Sequence, residues 1–380
     1  ENFCQSATTV ISKYAKLAAG QKRKLVLILA SDESGDDDSK LEESIEICKR
    51  ANVAVYVLGR YSVFGFPYAR MAWKDPKYGL THWLQINRGP ETPFAEALQF
   101  DGLHQRWDVY SSGFGPYGQV RLCRETGGVF FLLPGDETNI SGRGSHLDRK
   151  FEALDMKEYL PDLSARTVYQ KERDSSKFRN VIFQVIQRVN PLSDKQLEMQ
   201  EHWFDANFEV FAKQGGENFT KAVRALKLLN EAVVFLETVK PLYEKEKSMR
   251  WRANYDLIHA QMLAYRVRLF QYILVLDKHM ADKTKPKDPK NNRWHARRVP
   301  KMLEPTPAQI KQAGVDMKEL QAQEAKAREE FALVIRNHPR TPWARLAEQE
   351  LAVGFGMEFV ESYWDPAYSN VGKDIKLPKP

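Results

Sequence analysis

The N-terminal part of the chain alternates short aliphatic runs with helical segments. Lys24–Ala30 (KLVLILA) is a near-continuous aliphatic run, which is typical of a strand buried on both faces. The runs Val53–Gly59 and Val129–Leu133 predict two further strands, and the helical patterns Leu41–Ala51 and Tyr117–Thr126 precede them. Strands separated by helices favour βαβ units. We therefore predict an α/β region built on a parallel sheet with flanking helices.

A long aromatic-rich insert, residues 60–112, separates the second predicted strand from the next helix. A connection of this length is either functional or has structure of its own. One interpretation is a hairpin that packs on itself and covers one end of the sheet. The other is a partner-binding surface, since exposed aromatic side chains are frequent interface anchors. The candidate partner-binding residues are Phe64, Phe66, Tyr68, Trp73, Trp83 and Trp107.

The sequence is helical from about residue 198 onward. Tyr255–Met280 is apolar over a wide arc, which predicts a helix buried against several others. Met317–Asn337 and Thr341–Phe359 form a predicted helical pair, interrupted at Asn337-His338-Pro339. We therefore predict an all-α C-terminal helical domain.

The predicted domain organisation has three parts. They are an α/β domain over 1–135, a connector over 136–197 that packs partly on both neighbours, and a helical domain over 198–380. Within the last part, Ala327–Leu351 (AREEFALVIRNHPRTPWARLAEQEL) resembles a tetratricopeptide-like helical hairpin. That resemblance implies a protein-binding surface.

An acidic loop follows the first predicted strand, in the sequence Ser31–Asp38. Ligands of open α/β sheets gather outside the carboxyl ends of the strands, and a carboxylate such as Asp32 suits a hard cation like Mg²⁺. The alternative is structural. Acidic residues and Ser39 within Asp36–Ser39 would cap the helix that follows, because they complement its N-terminal N–H groups and dipole.

Three segments in order resemble the von Willebrand factor A (VWA) family. They are Lys24–Asp38 (KLVLILASDESGDDD), Leu41–Gly59 (LEESIEICKRANVAVYVLG) and Arg121–Leu133 (RLCRETGGVFFLL). Residues 2–17 would be the preceding helix, so the resemblance covers roughly residues 1–135 apart from the insert. It implies a partial VWA/Rossmann-like fold, with Asp32 matching the Asp in the third loop of the metal-ion-dependent adhesion site.

The departures from the VWA pattern concern the metal site. Ser31-Asp32-Glu33 replaces Thr-Asp-Gly, and the Asp-x-Ser-x-Ser loop and the Thr of the second loop have no counterpart. We expect no cofactor on this chain alone. Mg²⁺ is expected only if a missing N-terminal half supplies the remaining ligands. Because the first strand and its metal loop have no counterpart, we expect only the C-terminal half of such a domain here. The chain starts at Glu1 without an initiator Met or a signal-like segment, so we expect either a processed form or a fragment, with any targeting region removed.

The residues that most often carry catalysis form no recognisable set. The chain has 8 histidines, and none falls in an H-E-x-x-H pattern. Its 3 cysteines lack metal-ligand spacing and are predicted to be small core hydrophobes. We therefore predict a non-enzymatic protein-binding or scaffold protein of VWA type, with a protein as its partner.

The charge of the chain supports one alternative function. The net charge is +7, and the tract Lys283–Lys301 (KTKPKDPKNNRWHARRVPK) could follow a phosphate backbone or an anionic membrane surface. Its prolines favour an extended interhelical loop instead, so we do not expect a nucleic acid partner. No apolar run is long enough to span a bilayer, which predicts a soluble protein and leaves export open.

Overall fold

The computed structural model describes residues 2–107, 110–133, 151–307, 309 and 317–378. The chain divides into two compact units. Unit 1 comprises Glu1–Ala97, Trp107–Ser175 and Ile375–Pro380. Unit 2 comprises Leu98–Arg106 and Ser176–Asp374. The division falls inside the predicted connector, whose residues 136–150 lie outside the described ranges, and part of the predicted insert belongs to unit 2.

Unit 1 contains the predicted parallel sheet. Strands β1 (Val26–Ala30), β2 (Ala54–Gly59) and β5 (Phe130–Leu132) lie side by side in the order β1-β2-β5, and both pairings are parallel. All three strands fall within the aliphatic runs of the sequence. The prediction of a parallel sheet with flanking helices is confirmed.

Three helices of unit 1 pack on the sheet and form its core. They are α1 (Phe3–Gly20), α2 (Leu41–Arg50) and α3 (Tyr117–Glu125). A fourth helix, α4 (Arg166–Ser175), lies near the end of the unit. All three cysteines are buried in the core, and desolvation there raises the pKa of each thiol. The prediction that they act as core hydrophobes is confirmed.

The insert contains an antiparallel hairpin of β3 (Tyr68–Lys74) and β4 (Thr81–Asn87). Burial alternates along β4, so one face of the hairpin is packed and the other is open. The end of the hairpin is held against the loop after β1, where Ser34 Oγ donates to Asn87 Oδ1 at 2.6 Å. The predicted self-packed hairpin is therefore present.

Unit 2 is dominated by helices. They are α5 (Lys177–Arg188), α6 (Phe208–Glu237), α7 (Met249–Asp282), α8 (Met317–Asn337) and α9 (Pro342–Val353). Helix α7 packs against α6 and α8, and its buried residues lie on every side. The prediction of a helix buried against several others is confirmed.

Unit 2 also contains a three-stranded antiparallel sheet, so the C-terminal region is not all-α. Its strands are β6 (Phe204–Asp205), β7 (Arg293–Val299) and β8 (Gly356–Ser362), with β7 in the middle. The predicted helix Thr341–Phe359 is wrong beyond Val353. Gly354, with φ of +78°, ends that helix and leads into β8.

Candidate protein-binding surface

One face of the parallel sheet in unit 1 carries exposed apolar side chains. On β1, Val26 is 44% exposed and Ile28 is 65% exposed, whereas Leu27 between them is only 7% exposed. On β5, Phe131 is 48% exposed. Because side chains alternate across a strand, the exposed residues of β1 share one face of the sheet and Leu27 points to the other.

The strand register makes this exposed face continuous across the three strands. Ile28 lies beside Tyr56, and Leu58 lies beside Phe131. The rings of Tyr56 and Phe131 stack with their centroids 6.5 Å apart. We call this surface the bare face. It comprises Val26, Ile28, Tyr56, Leu58, Val129, Phe131 and Leu133.

The bare face results from the direction in which the chain winds. The strands follow one another across the sheet in sequence order, and right-handed crossovers in one direction place successive helices on the same side. Helices α1, α2 and α3 all contribute to the single core that contains Leu27, Val55 and Val57. The prediction that Lys24–Ala30 is buried on both faces was therefore wrong.

Strand β1 adds an open backbone edge to the bare face. It is the first strand of the sheet, and within the described residues it pairs only with β2. The strand has no charged residue between Lys24 and Asp32. Edge strands normally carry charges, prolines or bulges that prevent pairing with another chain. An apolar edge of this kind is a template for an additional strand.

The chain matches no protein-family model, no curated protein and no solved structure. Within the described ranges, no helix has both the length and the apolar character needed to cross a membrane. What the bare face can do therefore follows from its own chemistry. An apolar surface beside an unpaired strand edge favours binding of another polypeptide.

Asp32 lies on the surface at the carboxyl end of β1. In the part of the chain that the structure describes, no group of three or more His, Cys, Asp and Glu side chains is arranged to hold a metal ion. Asp32 thus has its predicted position but no assembled set of ligands around it.

The acidic loop has a structural role, but at a helix other than the predicted one. The Asp37 carboxylate accepts hydrogen bonds from the backbone N–H groups of Cys4 and Gln5 at the start of α1. The residue before α2 is Lys40, and no side chain caps that helix. The loop therefore caps the earlier helix, because the fold brings the start of α1 beside it.

The predicted aromatic contacts of the insert divide into buried and exposed residues. Phe64 and Phe66 are 1% and 2% exposed and belong to the interior, so they are not available as surface contacts. Tyr68 and Trp73 are half-buried, and each packs edge-on or tilted against a neighbouring ring, Phe66 and His82 respectively. A sequence cannot separate these groups, since aromatic residues serve both cores and interfaces.

Trp83 and Trp107 are the exposed members of the predicted set. They are 45% and 42% exposed. The Arg70 guanidinium lies 4.1 Å from the centre of the Trp107 ring, a cation–π arrangement. Arg70 and Trp83 share a face of the hairpin, because Arg70 pairs with Gln85 and Trp83 pairs with Ala72. This small aromatic face remains available to a partner.

The basic tract Lys283–Lys301 is not the extended interhelical loop that its prolines predict. Its second half forms β7, in the centre of the antiparallel sheet. Three of its arginines are paired with carboxylates: Arg293 with Asp205, Arg297 with Glu358 and Arg298 with Glu350. These pairs reduce the charge that the tract can offer to an anionic polymer.

The bare face was missed by sequence reasoning, because it follows from the order of the strands in the folded sheet. Three parallel strands in sequence order, joined by right-handed crossovers, leave one face without a helix. The aliphatic character of β1 hid this, because such residues suggest burial on both sides.

Proposed function

We propose that this chain is a non-enzymatic protein-binding or scaffold protein whose α/β unit is of VWA type, and that it binds its partner through the bare face and the β1 edge. The observation that carries the proposal is the 65% exposure of Ile28 on an apolar parallel strand. All-parallel sheets are stable almost only where both faces are covered. A partner that covers this face removes apolar surface from water and so gains free energy.

The geometry favours a particular chemistry of partner. The open edge of β1 can form backbone hydrogen bonds with a strand from the partner. A helix that comes after that strand in the partner can place its apolar side chains on the bare face. A polypeptide segment with a strand and an apolar helix satisfies both. The VWA resemblance supports this, because the first strand of that family has no counterpart in this chain.

Mg²⁺ enters the proposal only together with such a partner. Asp32 lies at the carboxyl end of β1, next to the edge where a new strand would add. A strand added there would bring its own end close to Asp32. Oxygen ligands from that segment would be needed to complete a Mg²⁺ site.

Photo-cross-linking tests the proposed surface. A photoreactive phenylalanine analogue replaces Ile28 in the full chain, which is irradiated in an extract of its source cells, and adducts are identified by mass spectrometry. A second chain carries the analogue at Lys16, an exposed position on α1, as the matched control. We expect a discrete protein adduct from position 28 only, and its loss when Phe131 is replaced by Lys.

Two outcomes would contradict the proposal. Equal cross-linking from positions 28 and 16 would mean that the bare face has no specific partner. Loss of the adduct on Trp83→Ser or Trp107→Ser, with no effect of Phe131→Lys, would assign binding to the aromatic face of the insert instead. Repeating the experiment with a chelator measures whether Mg²⁺ takes part.

A further inference from the structure

The imidazole rings of two histidines in unit 2 face each other through their Nδ1 atoms. His202 precedes β6 and His295 lies on β7, and their Nδ1 atoms are 2.8 Å apart. The side chain of His202 is 49% exposed, so the pair can be reached from solvent. Facing imidazole nitrogens of this kind either share a proton or bind a cation between them.

The local backbone holds both histidines in place. Ala296 N donates to Glu201 O at 2.8 Å and so fixes the segment that leads into β6. Trp203 has φ of +66°, which is uncommon for a bulky residue. Consecutive residues of a regular strand point to opposite sides, yet His202 and Trp203 both contact the His295 ring, at centroid distances of 4.7 and 4.5 Å.

The surroundings of both imidazoles disfavour the charged ring. Burial lowers the pKa of His202, although the Glu201 carboxylate opposes the shift. Burial, together with the nearby His202, lowers the pKa of His295 to about 4.

The other nitrogen of His202 faces a carboxylate. Its Nε2 lies 3.3 Å from Glu201 Oε2, and the same oxygen is 2.8 Å from His104 Nε2. Burial favours the neutral form of His104, but the Asp101 and Glu201 carboxylates raise its pKa to about 10. A carboxylate behind a histidine fixes the ring and its tautomer, as it does around many metal-bound histidines.

We propose that His202 and His295 bind a divalent transition-metal ion of the Zn²⁺ or Cu²⁺ class through their Nδ1 atoms, with Glu201 as a positioning residue. Two nitrogens about 2.0–2.1 Å from a tetrahedral ion are about 3.3 Å apart, so the rings need to separate by only about 0.5 Å. Water fills the remaining positions, because among the described residues the pair has no third His, Cys, Asp or Glu arranged as a ligand.

Metal titration of the full chain, free of any polyhistidine tag, tests the site. Calorimetry with Zn²⁺, Cu²⁺ and Ni²⁺ should give one equivalent bound per chain, whereas Mg²⁺ and Ca²⁺, which prefer oxygen ligands, should not bind there. Cu²⁺ should also quench the fluorescence of Trp203, and Trp203→Phe should remove that part of the quenching while keeping the binding.

Variants decide whether these two histidines are the ligands. His202→Gln and His295→Gln should each weaken binding at least tenfold, and Glu201→Gln should weaken it by about 10–100-fold. His82→Gln, a histidine of unit 1, is the matched control and should bind as the wild type does. Circular dichroism shows whether each variant is folded. His202→Gln is the variant expected to disturb the fold least, because the His202 side chain is half-exposed. Wild-type affinity in folded His202→Gln, or no stoichiometric binding of any of the three metals, overturns the proposal.

Discussion

Asp37 accepts a hydrogen bond from the backbone N–H of Cys4 at 2.9 Å and so closes the start of helix α1 with a side chain 33 positions later in the chain. The second oxygen of the same carboxylate accepts from Gln5 N at 2.7 Å. The first N–H groups of a helix have no partner within it, and a carboxylate also complements the helix dipole. One acidic residue thus joins the first helix to the loop after β1.

Replacing Asp37 by Ala should therefore lower the free energy of unfolding by about 0.5–2 kcal/mol. Asp32→Ala is the matched control, since it removes an exposed carboxylate from the same loop and should change stability by less than about 0.5 kcal/mol. Urea unfolding of both variants measures the difference. Equal losses would mean that the loop acts through its total charge and not through this cap.

Substitutions on the neighbouring strands β1 and β2 should differ in their effect on stability, because only one of the two positions lies on the bare face. Ile28→Thr should change the free energy of unfolding by less than about 0.5 kcal/mol, because Ile28 is 65% exposed. Val57→Thr should cost about 1–3 kcal/mol, because Val57 is fully buried and the hydroxyl loses water. Urea unfolding of the isolated chain compares them, and a similar cost at both positions would show that the bare face is covered.

The tip of the insert hairpin should respond to acid. Burial of the Asp75 carboxyl raises its pKa, but hydrogen bonds from backbone N–H groups and His82 outweigh this and lower the pKa to about 2. A lowered pKa in the folded state adds stability above the unfolded value near 3.8, and that stability is lost as the pH falls toward 2.

Asp75→Asn should accordingly be less stable than the wild type at pH 7, and the difference should shrink between pH 4 and pH 2. The NH₂ group that replaces Oδ2 cannot accept the bonds that Leu80 N and His82 make to that oxygen. Thermal unfolding at several pH values follows the difference. A gap between the two proteins that stays constant down to pH 2 would contradict this account.

Arg297 and Arg298 are adjacent on β7, but their ion pairs should contribute very different amounts to the free energy of unfolding. Glu350 is 2.5 Å from both Arg268 and Arg298, and all three side chains are mostly or fully buried. Glu350→Gln removes the carboxylate that both buried guanidinium groups contact and should cost about 3–5 kcal/mol.

Glu358→Gln is the matched control for that change. The Arg297–Glu358 pair is also 2.5 Å long, but its side chains are 61% and 43% exposed. An exposed pair contributes about 0–1 kcal/mol. Urea unfolding compares the two variants, and similar costs would contradict the assignment of Glu350 as a buried counter-ion. For the same reason, reversing the charge of Arg298 would disturb the fold and cannot report on anion binding.

Local patterns in the sequence determined the elements of unit 1 and their character. The aliphatic runs became β1, β2 and β5, the helical patterns before β2 and β5 became α2 and α3, and the cysteines became core residues. Such features depend on residues close together in the chain. Gly354 is also visible in the sequence as a signal for the end of helix α9, so the predicted end at Phe359 was too late.

The tertiary structure alone decided which surfaces are covered and which charges are paired. Ile28 is exposed because the crossovers place the helices on the other face, not because its strand differs in composition from β2. The basic tract became a strand because β6 and β8 pair with β7 on its two sides. Arg297 and its partner Glu358, for example, are 61 residues apart in the chain. These outcomes depend on contacts between distant segments, and no local pattern encodes them.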